Sequence, residues 1–260
     1  MSARIARLDS RALVRVSGPD ARPFLHNLLT QDVETLAEGE PRFGALLSPP
    51  GRLLFDLFLT AEGDAIVLDV DAARRDAFVQ RLSMYRLRAK VEVETDDRPI
   101  HVAWDGDAPG FSPDPRLAAL GGRAHGDFQA NASEDDWQAH RLALGVPDAA
   151  ADCPDDRTYP IEANFDLLNG IDFHKGCFVG QETTSRMKRR GSVRTRMRPI
   201  AFDGPPPAFG TEVLNGDLRA GEVLSGRDGL AMASLRVDRL DGALTADGRP
   251  VSLPPVAWLD

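Results

Sequence analysis

Cys177 is one of only two cysteines in the chain, and its neighbours are polar or flexible. His174, Lys175 and Gly176 precede it; Gly180, Gln181 and Glu182 follow closely. Nearby positive charge lowers a thiol's pKa and favours the nucleophilic, metal-binding thiolate. A helix beginning at Gly180 adds the positive end of its dipole. The residues leave two readings of Cys177 open: a reactive or ligating thiolate, or a structural cysteine buried in the core. Cys153, beside Pro154 in an acidic stretch, reads as an incidental thiol.

Two carboxylates stand out beside the thiol. Glu162 sits among apolar residues in Pro160-Ile161-Glu162-Ala163-Asn164. A partly buried carboxylate can grip an amidine-like N–H edge, such as that of a pterin or purine, with both oxygens. The other reading is a surface or capping glutamate. Asp56 lies inside the apolar run Leu54-Phe55-Asp56-Leu57. It needs a partner or an aqueous cleft there, unless it faces outward from an exposed sheet.

Residues 183–202 hold no acid, although the chain's formal net charge is -9. Arg186, Lys188, Arg189, Arg190, Arg194, Arg196 and Arg198 make this stretch basic. Alternation along a strand puts Arg194, Arg196 and Arg198 on one face. The run suits a polyanionic tail or RNA phosphates, or else a solvated helix end.

Composition narrows the classes. The 260 residues are 42% hydrophobic and 27% charged, as in soluble globular proteins. An acidic chain is a poor general nucleic-acid binder, so a nucleic-acid partner is not expected. Two distant cysteines exclude a disulfide framework, and one chain cannot supply the four thiolates of an iron–sulfur cluster. The histidines show no metal-ligand spacing, so no resident metal is expected. No apolar run reaches the ~20 residues that span a bilayer, and no membrane partner is expected. The first 18 residues lack an apolar leader, and Asp9 argues against a transit peptide, which points to a cytoplasmic location. P-loop, GxGxxG, HExxH, GxSxG and CxxC patterns are all absent.

The elements that must position these groups read as a mixed chain. Residues 4–8 and 12–16 alternate like half-buried strands, and Phe24, Leu25, Leu28 and Leu29 give a helix one apolar face. Strands follow at 42–47, 52–60 and 65–70; Asp71 caps a helix to about residue 86; further strands lie at 91–94 and 100–104. Residues 105–115 read as loop, 134–144 as a helix capped by Ser133, and the small acidic stretch 148–156 as a linker. Short strands at 194–202, 211–214, 218–224 and 230–237, with Gly-rich turns, suggest a sandwich or barrel. The order predicts an α+β fold with antiparallel sheets. Three regions follow: 1–150, a central segment 151–200, and a barrel 201–260.

Residues 160–164 followed by Lys175-Gly176-Cys177-Phe178-Val179-Gly180-Gln181-Glu182 resemble the signature of the YgfZ-type folate-binding proteins. That family includes mitochondrial iron–sulfur assembly factors and is related to the glycine-cleavage T protein. Weaker resemblance covers FLHNLLTQDV at 24–33 and GRLLFDLFL at 51–59. The resemblance implies a T-protein-like folate-binding fold with a small C-terminal β-barrel, and tetrahydrofolate as ligand. It also implies a role in assembling or repairing iron–sulfur clusters in client proteins, some of which modify tRNA. On it, Cys177, Lys175 and Asp56 carry any chemistry, and Cys177 is either a nucleophile or a transient ligand of a cluster shared with a partner or small thiols. Glu162, Asn164, Gly180, Gln181, Glu182, Arg186 and Arg194 bind the cofactor around one cleft. T-protein relatives carry paired aspartates where this chain has Phe55-Asp56. The rival reading, a tetrahydrofolate-dependent aminomethyl or one-carbon transferase, therefore rests on Asp56 alone.

Overall fold

The computed structural model describes residues 2–153, 156–191 and 193–259. Its middle layer is a five-stranded antiparallel sheet in the order Pro41–Leu47, Leu53–Glu62, Ala65–Asp71, Arg11–Ser17 and Glu92–Asp96. Successive strand residues point to opposite faces. Phe55, Leu57 and Leu59 thus join Ile66, Leu68, Val14 and Val16 in one core. Helices Ala21–Leu28 and Arg75–Arg86 cover that core with Leu25, Leu28, Phe78 and Leu82. Asp56, Phe58, Asp69, Asp71 and Arg11 occupy the alternate positions and fall on the other face. The cap expected at Asp71 is corrected: its side chain makes no capping bond, and a short 3-10 turn, Ala72–Arg74, leads into the helix. The carboxylate lines a central cavity instead.

A four-stranded antiparallel sheet lies alongside, in the order Arg4–Arg7, Ile100–Trp104, Gly122–His125 and Ser112–Pro113. Ser112–Pro113 falls within the stretch read as loop; a two-residue strand of turn-forming residues leaves no periodicity to read. Helix Glu134–Ala143 packs Trp137 on Trp104, ring centroids 5.6 Å apart. Ser133 caps this helix reciprocally: its Oγ accepts from Asp136 N–H at 3.1 Å, and the Asp136 carboxylate accepts from Ser133 N–H at 2.9 Å.

The stretch expected as a linker is a packed joint. Asp148 caps the short helix Ala149–Asp152 by accepting from Ala150 N–H at 3.0 Å. Asp152 is wholly buried and accepts from Ser225 N–H at 3.1 Å and Ser225 Oγ at 2.6 Å. Its acids serve local donors and not solvent. Pro154 and Asp155, part of the same expectation, lie outside the described residues.

The C-terminal sheet has six strands in the order Thr195–Ala201, Leu230–Arg236, Leu218–Arg227, Glu212–Asn215, Leu244–Ala246 and Arg249–Val251. Ser252 pairs back onto Ala201 with two N–H···O bonds of 2.9 Å, which closes the sheet. Its interior is apolar, built on Ile200, Val213, Val223, Ala233 and Leu235. Among the described residues, no helix is long and apolar enough to cross a membrane.

Candidate functional site

Between residues 159 and 180 the chain forms turns and irregular backbone. Side-chain and backbone hooks hold it against three earlier segments. Asn164, in the left-handed region at φ 62°, is fully buried, and its Nδ2 donates to Met197 O at 2.6 Å. Met197 N–H donates to Glu162 O at 2.9 Å, which stitches the loop to strand Thr195–Ala201. Thr30 Oγ1 donates to Gly170 O at 2.7 Å, and Asp172 N–H returns a bond to Thr30 O at 2.9 Å. Lys175 Nζ donates to the carbonyls of His26 and of Leu29, the latter at 2.7 Å. Helix Ala21–Leu28 ends there with carbonyls that have no intrahelical partner, and an ammonium suits them.

Gly180 fixes the other end. It is the N-cap of helix Gln181–Arg190, at φ 82°. A Cβ on Gly180 would lie 2.8 Å from Gly51 Cα and 2.8 Å from Ser48 O, both backbone atoms. The two glycines let the tight turn at Ser48–Gly51 touch the loop directly. The three stretches that carry the family resemblance therefore meet in space.

Cys177 is exposed on this loop, three residues before the N-cap of helix Gln181–Arg190. Lys175 beside it is half-buried. Burial pulls its ammonium down to about 8, against the opposing pull of Asp32, Asp172, Glu34 and the Cys177 sulfur. The Cys177 sulfur thus lies within electrostatic reach of a cation that backbone carbonyls hold in place. An open groove of about 670 Å³ runs along the same face, lined by Phe173, His174, Gln181, Glu182, Lys188 and Arg189.

The remaining expected residues separate. Glu162 accepts from Tyr159 N–H at 3.0 Å, and burial raises its carboxyl above the usual range. It does not line the central cavity, and Asn164 is spent on Met197 O and the Arg196 guanidinium. Arg186 pairs with Glu182 on the exposed helix surface. Arg194 is exposed, but Arg196, expected on the same ridge, is turned inward onto Asp166 and Ile161 O. Asp166 also takes Lys188 at 3.2 Å, so acid from outside the 183–202 run neutralises part of it.

Asp56 belongs to a different place. It is buried and accepts from Arg11 at 3.0 Å. Arg11 also donates to Asp69 Oδ1 and Asp69 O, each at 2.7 Å, and Arg123 pairs with the other Asp69 oxygen. Burial alone would raise Asp69, but Arg11 and Arg123 outweigh it and hold the carboxyl down at about 2. The Arg123 guanidinium lies 3.8 Å from the Phe58 ring centroid. This network closes one end of a central cavity of about 400 Å³, open to solvent, that the barrel, helix Glu134–Ala143 and the five-stranded sheet line. The space beside Asp56 itself shrinks to about 30 Å³. Sequence reasoning missed Arg11, Asp69, Asp71 and Arg123. The available signal was polar residues at period two, Asp69 and Asp71, in a strand that is otherwise apolar.

Comparison with known proteins gives the family. The C-terminal β-barrel domain of CAF17 matches residues 194–260. The mouse iron–sulfur cluster assembly factor IBA57, mitochondrial, is 31% identical over 92% of this chain and 79% of its own length. The human protein of the same name is 30% identical over 95% of this chain and 82% of its own. A crystal structure of the glycine cleavage system aminomethyltransferase T from Bartonella henselae superposes with a TM-score of 0.80 at 18% identity. It covers 99% of this chain and 86% of that one, and shows the T-protein-like fold. The mitochondrial relatives overturn the expectation of a cytoplasmic location. Lack of an apolar leader separates secreted from retained chains, and does not separate cytoplasm from mitochondrion.

Proposed function

The chain belongs to the family of iron–sulfur cluster assembly factors named IBA57, and from that premise we propose that it works through Cys177. The observation that supports this reading is an exposed thiol beside a cation anchored on helix carbonyls. The cluster is cargo. One thiolate fills one of its coordination positions, and the assembly or client partner supplies the rest. On binding iron, the Cys177 thiol gives its proton to solvent and displaces a weaker ligand, while Lys175 offsets the thiolate's charge. The narrower YgfZ-type kinship, and clients that modify tRNA, enter this proposal on the motif resemblance alone.

Tetrahydrofolate is the second part of the proposal. The central cavity, at about 400 Å³, is of a size that takes a drug-sized ligand. Arg227 at its rim, paired with the exposed Asp135 at 3.3 Å, suits a carboxylate tail. A bound reduced folate would supply a one-carbon carrier and a two-electron reductant. The aminomethyl-transfer alternative loses ground: Asp56 is tied to Arg11 in a space that holds about one water.

The test is cluster sharing. Wild type mixed with a cluster-loaded assembly partner is expected to form a complex with a visible charge-transfer band, and Cys177→Ser to form none. An unchanged spectrum and stoichiometry in Cys177→Ser would remove the thiol from the mechanism.

A further inference from the structure

The C-terminal end of helix Arg75–Arg86 carries charge that the chain does not use. Residues 77–91 contain Arg81, Arg86, Arg88 and Lys90 and no acid, in a chain of formal net charge -9. Cations near a helix C-terminus suit its dipole, which accounts for their sign. It does not account for their freedom: among the described residues, none of these four side chains joins an ion pair. The basic run from Arg186 differs, because Glu182 takes Arg186, and Asp166 takes Lys188 and Arg196. Two apolar side chains stand among the free cations. Met84 is 56% exposed, and Leu87, at 89%, is the most exposed large apolar side chain among the described residues. Leu87 also ends the helix, at φ 45° and ψ -103°. Helix Gln181–Arg190 makes its own left-handed ending with Gly191, at φ 59°. Leucine in that region strains the backbone, and at this exposure its side chain packs on almost nothing in the chain.

We propose that this end of the molecule is a peripheral docking surface for a bilayer with anionic headgroups. Leu87 and Met84 enter the headgroup boundary, and Arg81, Arg86, Arg88 and Lys90 meet phosphates around them. Both apolar side chains stand out from the chain, so they suit a layer that yields around them better than a rigid protein groove. Long arginine and lysine side chains lie along apolar surface with their charge toward water, as a headgroup layer requires. A cluster of four cations beside an apolar anchor recognises anionic lipid. The rest of the chain is more acidic still, so an anionic surface selects this end. A surface contact needs no spanning helix, and none is present among the described residues. Asp20, at the start of helix Ala21–Leu28, accepts from Lys90 N–H at 2.7 Å, and the far end of that helix carries the Lys175 anchor. Eight residues of helix, about 12 Å, therefore join the docking surface to the Cys177 loop. Nothing in this contact depends on the chemistry of Cys177.

Flotation of the full chain with vesicles tests this, using pure phosphatidylcholine and phosphatidylcholine with one-third phosphatidylglycerol. Wild type is expected to bind the anionic vesicles at least tenfold more tightly than the neutral ones, and to come off as salt rises. Arg86→Glu combined with Arg88→Glu should lose at least tenfold on the anionic vesicles. Arg219→Glu combined with Arg236→Glu, the same charge change on the C-terminal sheet, should stay within twofold. Leu87→Gly separates docking from folding. It should bind several-fold more weakly while its thermal midpoint holds or rises, because glycine suits the left-handed position. Equal binding of wild type to both vesicles, or equal losses in the two double variants, overturns the docking surface. So does wild-type binding by the Arg86→Glu, Arg88→Glu protein. Wild type that stays off both vesicles overturns the bilayer; retention of that protein on a polyglutamate resin would then mark an acidic protein as the occupant.

Discussion

The central cavity and the Cys177 loop solve opposite problems with the same kinds of residue. In the cavity, arginines and aspartates from separate strands are buried and paired with one another. On the loop, the reactive group is exposed and almost all the holding is done by backbone, through Lys175, Thr30, Asn164 and the Gly51–Gly180 contact. Buried charge makes the first region rigid and expensive to disturb. Exposure leaves the second free to meet another protein. Stability and cluster chemistry should therefore separate under mutation.

The largest effect is expected from Asp69→Asn. It leaves one amide oxygen for the two guanidiniums and turns an NH2 group, itself a donor, on Arg11 or Arg123, whose other acid, Asp114, is 4.0 Å away. Unpairing a buried charge costs about 3–5 kcal/mol. Denaturant unfolding should show that loss while thiol-reagent labelling of Cys177 stays at the wild-type rate. The wild type should also carry a matching acid dependence. The folded carboxyl at about 2 lies below its unfolded value of 3.8, so Asp69's contribution is full above 3.8 and fades as pH falls toward 2. Asp69→Asn should flatten that part of the profile. Faster labelling of Cys177 would mean the two regions are mechanically one.

Gly180→Ala should come next. The residue sits at φ 82°, and the added methyl meets backbone on two sides. Strain at such a position costs roughly 1–3 kcal/mol. The loop should shift relative to the Ser48–Gly51 turn, and cluster sharing should fall while ligand uptake by the cavity persists. Cluster sharing at the wild-type level would show that the close glycine contact serves packing alone.

The same contrast explains what could be read from sequence. Cys177, Lys175 and Gly180 stand within six residues, so their chemistry is visible as a local motif. The antiparallel α+β architecture and closed C-terminal sheet follow from alternation and turn residues. The cavity is assembled from Arg11, Asp56, Asp69, Arg123 and Arg141, whose meeting depends on strand register and on how two sheets pack. The single cleft expected around Cys177, Glu162 and Asp56 divides in two for that reason. Asp56 points inward by period two, while Glu162 belongs to a turn tied to the barrel strand. Arg196 shows the same limit, since its partner Asp166 lies 30 residues earlier.

The smallest effect concerns how the loop is anchored. Burial pulls Lys175 down to about 8 from 10.5. The unfolded chain keeps this proton up to 10.5 and the folded chain only to about 8. Between those values the unfolded state binds more protons, and stability rises with pH. Lys175→Met removes the group, so the stability difference between parent and variant should grow in the parent's favour from pH 8 to 10.5. Both proteins should carry Cys177→Ser, so that Lys175 is compared without the neighbouring sulfur; Cys153, pushed well up by burial, is common to both and cancels. A flat difference across that range would mean the ammonium is solvated and not seated on the carbonyls of His26 and Leu29. The loop would then hang on Thr30, Asn164 and Gly180 alone, and the charge beside Cys177 would be mobile.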